Sequence, residues 1–189
     1  LCRSFDRAPT DQVEAAYMRL LTPVIKYWIC KSAPGFLYEA MECLGGNGYI
    51  EEGILARHYR ESPVNAIWEG SGNVMCLDVL RALSREPDGT EVVLKHLIEQ
   101  TRDLPGAADS IAGIVKVLRR PDAERTARIA VEKLAQVAAA AALHEVTPNS
   151  AGLFAATRLK EEHGALYGSA DVGDVDARGL LERALPSSK

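Results

Sequence analysis

At 189 residues, with 47% apolar and 25% charged side chains, the chain has the size and balance of one globular domain able to bury a core. Its formal net charge of −4 argues against a general nucleic-acid coat or a polybasic membrane binder. No apolar run reaches the eighteen or so residues that a membrane-spanning helix needs.

Four cysteines, Cys2, Cys30, Cys43 and Cys76, form no CxxC pair. Three of them lie in apolar helical text, so they read as buried, reduced thiols. With no signal or transit peptide visible, a cytoplasmic location is expected.

Asp11 with Glu14 three residues on makes a capping pair that predicts a first helix. Val13, Ala16, Tyr17, Leu20, Val24, Tyr27 and Trp28 then recur on one helical face. Pro23 predicts a kink there. Ala33-Pro34-Gly35 predicts a second break, or a fresh helix with Pro34 in its first turn, so Val24 to Leu44 reads as a buried helix pair. The helix carrying Phe36, Leu37, Ala40, Met41 and Leu44 is expected to stop at the glycines that follow. Residues 49 to 62 are charged and predict a short helix before Pro63. A further helix is expected from about Ser71 to Ser84, with Val74, Leu77, Val79, Leu80 and Leu83 inward.

Pro87-Asp88-Gly89-Thr90 reads as a turn with a cap. Helices follow over 91–103 and 107–119, and a longer one comes after Pro121. In it Ala127, Ala130, Val131, Leu134, Val137, Ala138 and Ala141 form an apolar stripe, with Arg125, Arg128, Glu132 and Gln136 opposite. Thr147-Pro148-Asn149-Ser150 ends it, before a last helix carrying Leu153, Phe154, Thr157 and Leu159 to about Gly164. β-signals are absent almost throughout, so the fold class is all-α, a helical bundle over residues 1–167. Residues 168–189 form a polar tail with little to bury, ordered in part at best.

Two blocks carry candidate chemistry. In Leu44-Gly45-Gly46-Asn47-Gly48-Tyr49 a glycine cluster at a helix end lets backbone amides approach a phosphate-bearing ligand closely. In Ile67-Trp68-Glu69-Gly70-Ser71-Gly72-Asn73 a lone carboxylate stands between a tryptophan and a glycine, just before another apolar helix. On spacing alone the first block also reads as a plain helix stop, and Glu69 and Ser71 as caps of the helix after them. The four histidines are dispersed and show no metal-ligand spacing, so no metal is expected.

In this order and spacing, the two blocks resemble the carboxyl-terminal domain of acyl-CoA dehydrogenases, with wording similar to the AidB-type, alkylation-response branch. The resemblance implies an FAD-dependent oxidoreductase that takes an α-proton from an acyl-CoA thioester and passes a β-hydride to the flavin. It implies that Glu69 is the base, flanked by Trp68 and Gly70 on the substrate side. Burial between Trp68 and a bound ligand would desolvate that carboxylate and strengthen it as a base. The resemblance further implies that Gly45, Gly46, Asn47 and Gly48 touch the adenine dinucleotide part of FAD held by a neighbouring subunit. Ser71 and Asn73 stand where the family often places Thr and Gln near the flavin. Glu42 departs from a common Gln, and an acidic side chain there cannot donate an amide hydrogen bond. Arg60 reads as a structural ion-pair residue.

The family's members carry two further domains ahead of this one, so the chain reads as a fragment that assembles as a homotetramer when intact and is catalytically silent alone. The AidB branch also implies DNA association, with dehydrogenation vestigial, as an alternative. Lys116, Arg119, Arg120, Arg125, Arg128 and Lys133 form a basic run that could attract phosphates, although a solvated helix face is the commoner meaning of such a run.

Overall fold

The computed structural model of the chain describes residues 1–160 and 163–185. Ten α-helices form, and no strand occurs among the described residues. The short α1 (Cys2–Arg7) leads into α2 (Gln12–Cys43), a 32-residue helix on which most of the others are laid. Asp11 caps α2, its Oδ1 accepting the amides of Val13 at 2.8 Å and Glu14 at 3.2 Å. Glu14 does not return the bond. Its carboxylate lies 3.8 Å from both Arg3 and Arg7 and so ties α1 to α2.

The expected kink and break in α2 are corrected: one helix runs through both Pro23 and Pro34. Each proline removes a backbone bond. Pro23 is buried in the core beside Leu20, Leu21 and Val24, and packing of the surrounding helices offsets the loss. Hydroxyls beside the prolines also bond back along the helix, Thr22 to the Met18 carbonyl at 2.6 Å and Ser32 to the Trp28 carbonyl at 2.8 Å. Nor is the second half of α2 buried, since Phe36 is 62% and Ile29 53% exposed.

After a four-residue turn of helix, α3 (Gly46–Tyr49), come α4 (Ile54–Glu61) and a 3-10 turn at Ser62–Ala66. Helix α5 (Gly72–Arg85) buries Gly72, Cys76, Val79 and Ala82. Val74 and Leu77, expected inward, are exposed, because the face that meets α2 is the one running through Cys76 and Val79. Pro87 does not make a separate turn but opens α6 (Pro87–Thr101), its fixed φ suiting a first helical turn.

Helix α7 (Ala107–Leu118) and a second 3-10 turn (Ala123–Arg125) precede α8 (Ala127–Val146), whose expected apolar stripe is buried throughout. Gln136, expected on the solvent side, is buried as well. Helix α9 (Pro148–Arg158) ends six residues short of Gly164. Within the segment read as a tail, α10 spans Asp174–Ala184, while residues 186–189 lie outside the described residues.

The core joins α2, α5, α6 and α8 through Leu20, Val24, Val79, Val93, Val131 and Leu134, all under 2% exposed or at 2%. Each such side chain contributes roughly 1.5–3 kcal/mol by burial. Arg19 of α2 braces the bundle, donating to both oxygens of Asp78 on α5 at 3.0 and 3.3 Å and lying 3.4 Å from Glu86. All four cysteines are free, but only Cys76 is buried; Cys30 is half-buried, and Cys2 and Cys43 lie in exposed helical positions. Among the described residues no helix is long and apolar enough to cross a membrane.

Candidate active site

The turn between the first 3-10 segment and α5 carries Glu69. Val64 O accepts the amides of Ile67 at 2.9 Å and Trp68 at 3.1 Å, which closes the chain before it reverses. Glu69 then takes φ of 52°, the one positive value on a non-glycine residue among those described, and Gly70 follows at 106°. A left-handed backbone costs a residue with a Cβ roughly 1–2 kcal/mol. Lys26 of α2 supplies a restraint: its Nζ donates to the Trp68 carbonyl at 2.7 Å and to the Gly70 carbonyl at 2.6 Å. Hydrogen bonds to a charged group are worth roughly 1.5–3 kcal/mol each, enough to hold such a strained turn.

Gly72 seats the first turn of α5 directly on α2, where a Cβ would lie 3.3 Å from the Tyr27 ring and 2.9 Å from the Lys31 stem. The Glu69 carboxylate faces open space, and among the described residues no side chain bonds or pairs with it. Trp68 beside it is 57% exposed. The desolvation expected of a base must therefore come from whatever covers this face. Ser71 holds the N-cap position of α5, yet its side chain makes no capping bond, which leaves the hydroxyl available. Asn73 is engaged on one side only, its Oδ1 accepting from Arg128 Nε of α8 at 2.7 Å.

The glycine block is not an open loop. Gly45, at φ 58°, turns the chain out of α2, and Gly46, Asn47 and Gly48 already lie in α3. The three glycines answer to different demands. Gly45 needs its positive φ. Gly48 lets α3 rest on α2, because a Cβ there would fall 2.1 Å from the Met41 carbonyl oxygen. Gly46 has an ordinary φ and open space where its Cβ would be, so nothing within the chain requires a glycine there. The two blocks dock on α2 at Lys26 and Met41, about 22 Å apart along the helix axis. One chain does not bring them into a single pocket.

Arg60 forms a two-pronged pair with Glu51 rather than with its neighbour Glu61, which binds Arg57 at 3.0 Å. The Arg60 guanidinium holds the Glu51 carboxyl below the usual carboxylate range. In the basic run, Arg120 donates to Asp122 at 2.8 and 3.0 Å and Arg125 lies 3.4 Å from the same carboxylate, so part of its charge is neutralised locally. Among the described residues no group of three or more His, Cys, Asp or Glu gathers where a metal could sit.

Sequence reasoning missed Lys26 and Arg128 as members of the site. Lys26 lies 42 residues from the Trp68 carbonyl it binds, and Arg128 lies 55 from Asn73. No local pattern joins either pair; only the tertiary fold does.

A helical bundle that presents a Trp-Glu-Gly turn and a Gly-Gly-Asn-Gly turn on one long helix has counterparts among known proteins. Residues 5–84 match the family "Acyl-CoA dehydrogenase, C-terminal domain". Over 99 residues the chain is 52% identical to AidB of Escherichia coli (strain K12), a stretch covering 52% of this chain and 18% of that one. Over 97 residues it is 40% identical to acyl-CoA dehydrogenase family member 11 of Caenorhabditis elegans, covering 51% of this chain and 15% of that one.

Two solved structures share the fold at 24% identity. Caenorhabditis elegans ACDH-11 in complex with C11-CoA has a TM-score of 0.71, covering 84% of this chain and 32% of that chain. Bd2924 in its apo-form has a TM-score of 0.65, covering 75% and 28%. Residues 5–84 are thus similar to an acyl-CoA dehydrogenase carboxyl-terminal domain, and the helical fold is shared with these solved structures. The matched stretch is similar to the AidB type and spans less than a fifth of the curated relatives' length.

Proposed function

We propose that this chain is the base-bearing part of an FAD-dependent acyl-CoA dehydrogenase-like oxidoreductase. The observation that carries the proposal is Glu69, an unpaired carboxylate on a left-handed turn pinned to α2 by Lys26, beside the exposed Trp68. Such a carboxylate suits abstraction of the α-proton of a thioester: its oxygen takes the proton and becomes a neutral acid, while the α-carbon is left with the electron pair. The acyl-CoA class is supported by the C11-CoA complex of the Caenorhabditis elegans relative. FAD, when bound, supplies the acceptor for the β-hydride.

The residues present fit that cofactor. Gly46 leaves open the space that a side chain would fill, and with Asn47 it is exposed on a turn whose backbone a diphosphate can approach, while Gly45 and Gly48, whose amides are bonded within the chain, shape that turn and seat it on α2. The free hydroxyl of Ser71 and the remaining amide of Asn73 are suited to polar contacts with a flavin near Glu69. Trp68 and Gly70 flank the base and would line the thioester.

The roughly 22 Å between the two blocks supports assembly. The glycine turn of one copy would complete the nucleotide site of a neighbour, in the homotetramer that the resemblance implies. The exposed apolar side chains Phe36, Tyr49, Ile54 and Ile67 are surface that such contacts would cover. By itself the chain lacks the cover over Glu69 and is expected to be catalytically silent.

The test uses the flavin-loaded protein of full length under anaerobic conditions, with a panel of acyl-CoAs of graded length and branching. Bleaching of the flavin absorbance that disappears in Glu69→Gln supports the reading and names the acyl class. No bleaching with any thioester, despite bound FAD, contradicts it.

A further inference from the structure

The Lys26 ammonium is bound to the two carbonyls that bracket Glu69, at 2.7 Å for Trp68 and 2.6 Å for Gly70. The peptide unit that enters Glu69 and the one that leaves Gly70 are thereby held to one point on α2. Between the two bonded carbonyls Glu69 keeps φ of 52°, outside the ordinary right-handed region. Gly70 continues the turn at φ 106°, so that α5 can begin on Tyr27, the residue next to Lys26. One lysine therefore sets both the backbone conformation at Glu69 and the height at which it stands on the long helix.

We infer that Lys26 is a positioning residue for the base: its clamp on Trp68 and Gly70 aims the Glu69 carboxylate at the substrate's α-carbon. This rests on the reading of Glu69 as the base. Lys26 exchanges no proton with substrate. It restricts the backbone states open to Glu69, so the carboxylate meets the thioester already oriented. Proton abstraction depends steeply on that geometry, because misplacing a reacting group by about 1 Å can cost on the order of 100-fold in rate.

The test compares Lys26→Met, which keeps the stem without the charge, with Lys26→Arg, which restores a cationic donor, in the flavin-loaded protein of full length. Lys26→Met is expected to slow anaerobic bleaching at saturating acyl-CoA by about tenfold or more, with acyl-CoA affinity changed by less than about threefold. Lys26→Arg is expected to recover much of that rate. Exchange of the Ile67 and Trp68 amides, both bonded to the Val64 carbonyl at the start of the turn, is expected to quicken in Lys26→Met, and this readout needs no flavin, so it decides even if the variant loses its cofactor.

Unchanged amide protection, or a full rate in Lys26→Met while Glu69→Gln is dead, would overturn the inference and leave Glu69 as the base. Bleaching that survives Glu69→Gln would remove the base reading itself, and the role of Lys26 with it.

Discussion

The ε-ammonium of Lys26 donates a 2.6 Å hydrogen bond to the Gly70 carbonyl and so ties the longest helix to the turn that carries Glu69. Gly70 can accept that bond only in its present conformation. Its φ of 106° is closed to ordinary side chains, and a Cβ would meet the Met75 methyl at 2.3 Å. Gly70→Ala is therefore expected to destabilise the chain by about 1–3 kcal/mol. Urea unfolding of the two proteins measures this, and an unchanged midpoint would contradict the turn described.

The glycines of the other block are expected to separate by substitution. Gly48→Ala forces a methyl onto the Met41 carbonyl, where backbone has to move, so a loss of about 1–3 kcal/mol is expected together with release of α3. Gly46→Ala meets nothing within 4 Å and is expected to leave stability unchanged within about 0.5 kcal/mol. If Gly46 is the closest approach to the diphosphate, the same variant weakens FAD retention in the full-length protein. Thermal unfolding paired with flavin content after gel filtration distinguishes the two positions.

What the sequence made legible was mostly periodic. The α8 stripe from Ala127 to Ala141 is buried residue for residue, and Asp11 caps α2 as expected. What it hid was tertiary. Pro23 and Pro34 look like breaks when each is judged on its own lost hydrogen bond, yet α2 is continuous because helices pack along it. Val74 and Leu77 look like core because they are apolar. The core face of α5 is instead set by small residues, Gly72, Cys76 and Ala82, which allow close approach to α2. Trp68 and Gly70 mark Glu69 as a candidate in the sequence. The lysine that holds its turn has no such mark, because position 26 carries no sign of what lies across the fold.

Cys76 is expected to behave unlike the other thiols. Burial pushes its thiol up to about 11 from an ordinary 9. In the folded chain Cys2 and Cys43 should react with iodoacetamide at pH 8, while Cys76 reacts only on unfolding. Because the folded value is the higher, its stabilising contribution is complete below about 9 and is lost as pH rises through about 11. Mass mapping of the alkylated sites tests the first point. An alkaline unfolding curve compared with Cys76→Ser tests the second, and equal labelling of all four thiols would contradict both.

Arg128 links α8 to the first turn of α5 through Asn73. Arg128→Ala is expected to cost about 0.5–1.5 kcal/mol, the net range for a typical hydrogen bond, because both partners are exposed. Asn73→Ala should cost a similar amount, and the double variant less than the sum of the two, since both remove one bond. A double-mutant cycle by urea unfolding measures the coupling, and strict additivity would show that the bond contributes nothing.

Glu69 is the base only if it removes the α-proton. The direct measurement incubates the flavin-loaded full-length protein with a saturated acyl-CoA in D2O, without oxygen or electron acceptor, and follows deuterium entry at the α-carbon. Exchange in the wild-type protein that falls by about 100-fold or more in Glu69→Gln is the predicted result. Exchange that continues at the wild-type rate in Glu69→Gln would contradict the account, because the proton would then be leaving to some other group.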